Sequence, residues 1–71
     1  MNILLSKHAL EQSRERGISI NEIKDTIQKG SKYLQGEKIV STYRNIKVVF
    51  KKINEKFFII TVMIRREENG K

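Results

Sequence analysis

The sequence contains no cysteine and only one histidine among its 71 residues. The absence of cysteine excludes disulfide bonds and a thiol nucleophile, and it removes a common ligand of structural zinc sites. The few Asp and Glu residues do not form a cluster with the spacing of metal ligands. The sequence therefore predicts neither a metal nor a cofactor, and any phosphodiester cleavage by this protein would have to be metal-independent.

Long apolar segments and the common nucleotide-binding motifs are also absent. The N-terminal stretch MNILLSKHAL has too short an apolar run for a signal peptide, and no run approaches the length that spans a membrane. The chain has no P-loop, no G-x-G-x-x-G and no G-x-S-x-G motif. We therefore expect an intracellular, cytoplasmic protein.

Acidic residues are few relative to basic ones. Fifteen Lys and Arg against eight Asp and Glu give a net charge of +7 and a pI near 10.0. A charge density of this kind favours a polyanionic partner, most commonly a nucleic acid, and here RNA is the expected one. The alternative is that the lysines only keep a small domain soluble, and composition alone leaves both explanations open.

Two glycine-terminated helices are predicted in the N-terminal part of the chain. Ser6 is a good N-cap for a helix over residues 7–16, which Gly17 would end in the left-handed conformation. A capping box starting at Ser19 begins a second helix over residues 20–29. The apolar segment before the first helix is either a short strand or a hydrophobic staple.

The second helix carries a clear apolar stripe at helical spacing, formed by Ile20, Ile23 and Ile27. From Ser31 onward the hydrophobic period changes to two, which indicates strands. The predicted strands span residues 32–34, 38–44, 46–53 and 57–64.

The last of these strands, FFIITVMI, is apolar on both faces. One row consists of Phe58, Ile60, Val62 and Ile64, and we expect this row to lie beneath the helices. Thr61 belongs to the opposite row and would face away from them.

These patterns predict one domain over residues 1–71 with a frayed charged tail over residues 65–71. The expected fold class is α+β, with two N-terminal helices packed on one face of an antiparallel meander of three or four strands.

His8 is the first candidate for proton chemistry, because a histidine titrates near neutral pH. It would act as a general acid or base on RNA, with Arg16 stabilising the negative charge of the transition state. Thr61 would donate a hydrogen bond to a phosphate on the open sheet face. Each residue also has a plain structural explanation. His8 would be an exposed helix residue, Arg16 a cation favoured by the helix dipole, and Thr61 a β-branched strand former.

A second group of residues is predicted to bind nucleic acid. Basic side chains on the helix, turns and strands would contact phosphates, and a strand tyrosine would stack on bases. A solvated surface and partial burial are the alternatives. The predicted residues are Arg14, Tyr43, Arg44, Lys47, Lys51 and Arg65.

The stretch SKHALEQSRERGISINEIKDTIQKG, followed by strands ending in FFIITVMI, resembles a family of small bacterial, archaeal and phage domains of unknown function. The family pattern is HA-x-x-R-x-x-x-RGI with an ITV core in the last strand, and the resemblance covers about residues 5 to 64. The family is grouped with the ribonuclease toxin fold of RelE, BrnT, barnase, EndoU and the tRNA-cleaving colicins, so the resemblance implies a RelE- or barnase-like fold.

By this resemblance His8, the Arg16-Gly17-Ile18 element and Thr61 match family positions. Gln12 stands where the family usually has arginine, so one phosphate contact is missing unless Arg14 supplies it.

The leading hypothesis is a metal-independent ribonuclease-like toxin domain acting on RNA, with a cognate antitoxin or a host protein as a further partner. The alternative is a non-catalytic RNA- or protein-binding module of the same fold, such as a phage or plasmid accessory protein.

Overall fold

A computed structural model describes residues 1–64, in which two helices pack against a sheet of five strands. The α+β class predicted from the sequence is confirmed. The elements in chain order are β1 (Asn2–Leu5), α1 (Lys7–Arg16), α2 (Ile20–Lys29), β2 (Ser31–Gln35), β3 (Lys38–Tyr43), β4 (Ile46–Ile53) and β5 (Lys56–Ile64). The predicted frayed tail over 65–71 lies outside the described residues.

The ends of α1 have the predicted capping residues. The Ser6 hydroxyl oxygen accepts a hydrogen bond from the Ala9 N–H at 3.0 Å. Gly17 ends the helix at φ 66°, where its missing side chain avoids the steric cost of the left-handed region.

The capping box at the start of α2 is complete. Ser19 and Glu22 exchange side chain to backbone hydrogen bonds of 2.8 and 3.1 Å, which satisfies two of the orphan N–H groups of the helix. Ile23 and Ile27 are buried as expected. Ile20 is largely exposed, so the predicted stripe is shorter by one turn.

Gly30, directly after α2, is required for close approach to the sheet. A Cβ atom built there would lie 2.6 Å from the Ser41 hydroxyl oxygen and 2.7 Å from the Thr42 carbonyl oxygen, well inside van der Waals contact. The buried Ser41 hydroxyl also donates a hydrogen bond to the Thr26 carbonyl of α2. These contacts fix the end of α2 against β3.

The sheet is mixed and has the strand order β1-β5-β4-β3-β2. β2 to β5 form an antiparallel meander, and β1 pairs parallel to β5, with Ile3 opposite Phe57 and Leu5 opposite Ile59. The prediction of a purely antiparallel sheet of three or four strands was therefore wrong. The apolar segment before α1 is a strand because its alternate residues Ile3 and Leu5 pack against the hydrophobic core.

A β-bulge in β5 changes which of its residues face the helices. The pairing of β4 with β5 shifts register so that Val49 is opposite Thr61 while Phe50 is opposite Ile59, which leaves Ile60 as the extra residue. The predicted row of Phe58, Ile60, Val62 and Ile64 beneath the helices was wrong at its first two positions. The structure instead buries Ile59 there and packs the partly buried Phe57 against the core, because the bulge inverts the alternation.

Both helices cover the same face of the sheet, hereafter the helix-covered face. Ala9 of α1 and the α2 isoleucines join Phe50, Ile59 and Val62 in one buried cluster. The opposite side, the helix-free face, has no helix packed on it within residues 1–64. All three hairpins of the meander have two-residue turns, so this face is a nearly continuous strand surface.

Candidate nucleic-acid interface

The charges are distributed unequally between the helices and the sheet. The five strands contain no Asp or Glu, and every acidic residue among residues 1–64 lies in a helix or a turn. The same strands carry six lysines: Lys32, Lys38, Lys47, Lys51, Lys52 and Lys56. The positive charge is therefore concentrated on the sheet, where no acidic side chain of a strand neutralises it.

Four of these lysines lie on the helix-free face. Strand register places Lys51 opposite Phe58 and Lys47 opposite Met63, both on the side away from the helices. Lys38 and Lys56 lie on the same side by alternation along β3 and β5. Of the predicted nucleic-acid ligands, Lys47 and Lys51 belong to this face, whereas Lys38 and Lys56 were missed.

The centre of the helix-free face is apolar. Val40 and Val49 pair across β3 and β4, are buried, and lie outside the core cluster beneath the helices. Tyr33 is opposite Val40 on β2 and exposes half of its surface. Thr61 continues this row on β5, so its predicted position on the open sheet face agrees with the register. Because the two valines are covered by their neighbours, the part of this face suited to stacking a base is the exposed Tyr33 ring, with lysines nearby to contact phosphates.

The only carboxylate within ion-pair distance of a helix-free-face lysine, among residues 1–64, is that of Glu37. It lies 3.6 Å from the Lys51 Nζ atom, and its side chain is 92% exposed. An exposed pair of this kind is weak and screened by salt. Lys51 therefore stays accessible to a phosphate that competes for the same ammonium group.

His8 lies on the other layer, in the first turn of α1, and is exposed. Hydrogen bonds to β5 anchor α1 at residues that precede and follow His8 in the sequence. The Ser6 hydroxyl donates to the Ile60 carbonyl at 3.1 Å, and the Val62 N–H donates to the Gln12 Oε1 atom at 3.0 Å. Thr61 lies between these two anchored residues in sequence, but its side chain is on the helix-free face, so the sheet separates it from His8.

Gln12 has a structural role that the sequence did not reveal. Beyond Ile59, the edge of β5 is no longer paired with β1, and the Gln12 side chain provides the acceptor that a neighbouring strand would otherwise supply. Arginine has no hydrogen-bond acceptor in its side chain and could not make this bond. The predicted loss of a phosphate ligand at this position therefore coincides with the gain of a bond that secures α1.

Arg16 is at the opposite end of α1 from His8, about 12 Å away at 1.5 Å rise per residue. It lines an open groove of ≈ 290 Å³ together with Gly17 and Ile18, Glu22 of α2, the β3–β4 turn and the end of β5. His8 and Thr61 do not line this groove, so the three predicted catalytic residues do not share one concave site. Arg44 and Asn45 of the turn form its other side.

The remaining predicted ligands are dispersed. Arg14 is exposed on α1. Tyr43 is half-buried on the helix-covered side. The Arg44 guanidinium carbon lies 5.3 Å from the centre of the Tyr43 ring, so the guanidinium group already covers one face of that ring. Arg65 lies outside the described residues.

No group of three or more His, Cys, Asp or Glu side chains within residues 1–64 is placed to hold a metal ion. In the same part of the chain, neither helix is long and apolar enough to cross a bilayer.

The fold and surface define a small α+β domain with a mixed sheet and one basic, helix-free face. The chain belongs to the family described as a domain of unknown function (DUF4258), whose family model matches residues 5–64. This confirms the resemblance to a family of domains of unknown function. Comparison with proteins of curated function and with solved structures gave no significant match.

Proposed function

We propose that this protein is an RNA-binding domain that uses the helix-free face of its sheet to bind single-stranded RNA. The observation that supports this most directly is the absence of acidic residues from all five strands, combined with four lysines on that face. Lysines would contact phosphates, while the exposed ring of Tyr33 would stack on a base. Single-stranded RNA fits better than a duplex because an open sheet with an exposed aromatic ring can receive unstacked bases.

Binding of this kind is expected to depend strongly on salt, because each neutralised phosphate releases condensed counterions. If about five phosphates are neutralised, log K falls with log salt at a slope of roughly −3.5 for a single strand. Fluorescence anisotropy of a labelled RNA oligonucleotide across a salt series measures this slope. An affinity that does not change with salt would point to a protein partner instead.

A double variant, Lys47→Ala with Lys51→Ala, tests the face itself. Removing two phosphate contacts should make the slope shallower by about 1.4. The matched control is Lys7→Ala with Lys24→Ala, which removes the same charge from the helices and should leave the slope near that of the wild-type protein. If both double variants change the salt slope equally, RNA binding follows from net charge alone, and the proposed face is contradicted.

A second candidate function is metal-independent RNA cleavage centred on α1, the activity that the resemblance to ribonuclease toxins implies. The anchoring of α1 on either side of His8 favours it, because hydrogen bonds from Ser6 and to Gln12 hold this helix in place against β5. His8 would act as the general acid or base, and Arg16 would contact a second phosphate of a substrate spanning the helix. A toxin of this type would have an antitoxin partner.

The cleavage hypothesis is tested by incubating the protein with RNA in EDTA and analysing the ends. Cleavage with 2′,3′-cyclic phosphate or 3′-phosphate ends, reduced about 10²-fold in His8→Ala with RNA binding retained, is the expected result. Lys7→Ala, one residue earlier and also exposed, is the matched control. If intact RNA is recovered while salt-dependent binding persists, the protein binds RNA without cleaving it.

A further inference from the structure

The three two-residue turns of the meander share one backbone feature. In each turn the first residue has a positive φ: 64° at Gly36, 57° at Arg44 and 57° at Asn54. Glycine and asparagine are the residues that tolerate this left-handed conformation, and they occupy two of the three positions. Arginine at the third position costs conformational energy, although Asn45 directly follows it and would suit the position better.

Local strain of this kind is retained where the side chain contributes something else. The Arg44 guanidinium stacks on Tyr43 and lines the groove described above, which we call the Arg16–Arg44 groove. The second arginine approaches from the end of α1, just before the left-handed Gly17. Two guanidinium groups from separate elements thus border one opening.

One carboxylate, that of Glu22, is part of the groove lining, where the capping box of α2 holds it. The Glu22 carboxylate accepts the Ser19 N–H at 2.8 Å in the capping box, and Asp25 is 4.0 Å from the Lys29 Nζ atom. Arg16 lies 3.9 Å from Glu15, whose side chain is mostly exposed. Within residues 1–64, no carboxylate lies within 4.0 Å of the Arg44 guanidinium.

The floor of the groove is apolar. Ile18 is buried and Ile46 is half-buried, and both line it. An apolar wall lowers the local dielectric, so that charge-assisted hydrogen bonds at its rim are stronger than at a fully solvated surface. Guanidinium groups form paired hydrogen bonds with phosphate oxygens in a fixed planar geometry.

We propose that the Arg16–Arg44 groove binds a phosphate monoester, and that arginine is retained at the left-handed position for this purpose. The phosphate would be either a free ion or the terminal phosphate of a nucleotide. This site is at the end of the sheet and does not depend on RNA binding by the helix-free face, so each proposal can fail without the other.

The first test is an NMR titration of the ¹⁵N-labelled protein with sodium phosphate, compared with sodium chloride at equal ionic strength. Saturable shifts of the Ile18, Arg44 and Asn45 amides with phosphate alone are expected. Adenosine 5′-monophosphate, compared with adenosine, distinguishes the two sources: tighter binding than inorganic phosphate indicates a nucleotide terminus, and equal binding indicates the phosphate group alone. Shifts that do not saturate, or that chloride reproduces, would overturn the proposal.

The second test separates ligand binding from a structural role of the arginine. Arg44→Asn should weaken phosphate binding about tenfold or more, through loss of a charged hydrogen-bond partner, while the melting temperature stays unchanged or rises. Lys24→Asn removes the same charge from α2, away from the groove, and should leave phosphate binding intact. Unchanged phosphate affinity in Arg44→Asn, or a lowered melting temperature, would show that the arginine serves the turn or its contact with Tyr43 instead.

Discussion

The two faces of the sheet are made by the same strands but carry opposite kinds of side chain. On the helix-covered face, Phe50, Ile59 and Val62 are almost completely buried against the helices. On the helix-free face, the same strands present Lys47 and Lys51 beside a narrow apolar strip. The difference indicates that one face provides the stability of the fold, whereas the other is free to serve an interaction.

The largest effect that separates the two faces is expected in stability. Phe50→Ala should lower the free energy of unfolding by about 3–5 kcal/mol, because it leaves a cavity beside Phe57, whose ring centre lies 5.7 Å away. Lys47→Ala, on the same strand but the other face, should change the free energy of unfolding by about 0.5 kcal/mol or less. Urea denaturation of both variants measures this contrast, and similar losses would mean that both faces carry the core.

The next effect concerns RNA affinity. Tyr33→Ala should weaken binding of single-stranded RNA by about 1–3 kcal/mol, the usual contribution of one base stacked on an aromatic ring. The neighbouring Leu34→Ala is the matched control, because Leu34 lies on the same edge strand, faces the other side and is 75% exposed. If the leucine variant weakens binding as much as the tyrosine variant, RNA contacts the strand edge and the distinction between faces fails for β2.

A smaller effect is expected at the boundary between α1 and β5. Gln12→Arg introduces the residue that the resemblance leads us to expect at this position, but it removes the acceptor of the Val62 N–H and should cost about 1 kcal/mol of unfolding free energy. Gln12→Glu keeps an acceptor oxygen at the same place and should cost less. Thermal denaturation compares the two variants, and equal melting temperatures for Gln12→Arg and Gln12→Glu would show that the hydrogen bond contributes little.

Much of the helical layer could be predicted from the sequence because its signals are local. Ser6, Gly17 and the capping box at Ser19 each act within a few residues of where they occur, and all three are present as predicted. The sheet was less predictable for a physical reason. The parallel pairing of β1 with β5 joins residues more than fifty positions apart, and its four residues are too few to distinguish a strand from a staple.

The candidate sites were predicted only in part. Alternation placed Thr61 on the side away from the helices, yet the bulge at Ile60 has no local sequence signal and inverted the first half of β5. The left-handed Arg44 could not have been predicted, because turn preferences favour Asn45 for that conformation. The absence of acidic residues from the strands was readable from the sequence once the strand bounds were known.

The most direct test of RNA binding by the helix-free face is an NMR footprint. A single-stranded RNA of about eight nucleotides, within the range that one small binding domain covers, is titrated into the ¹⁵N-labelled protein. The account predicts the largest amide shifts at Tyr33, Val40 and Val49 on the helix-free face, with little change at Ile23 and Ile27 of α2. Shifts concentrated on the helices, with the central strands unaffected, would contradict it.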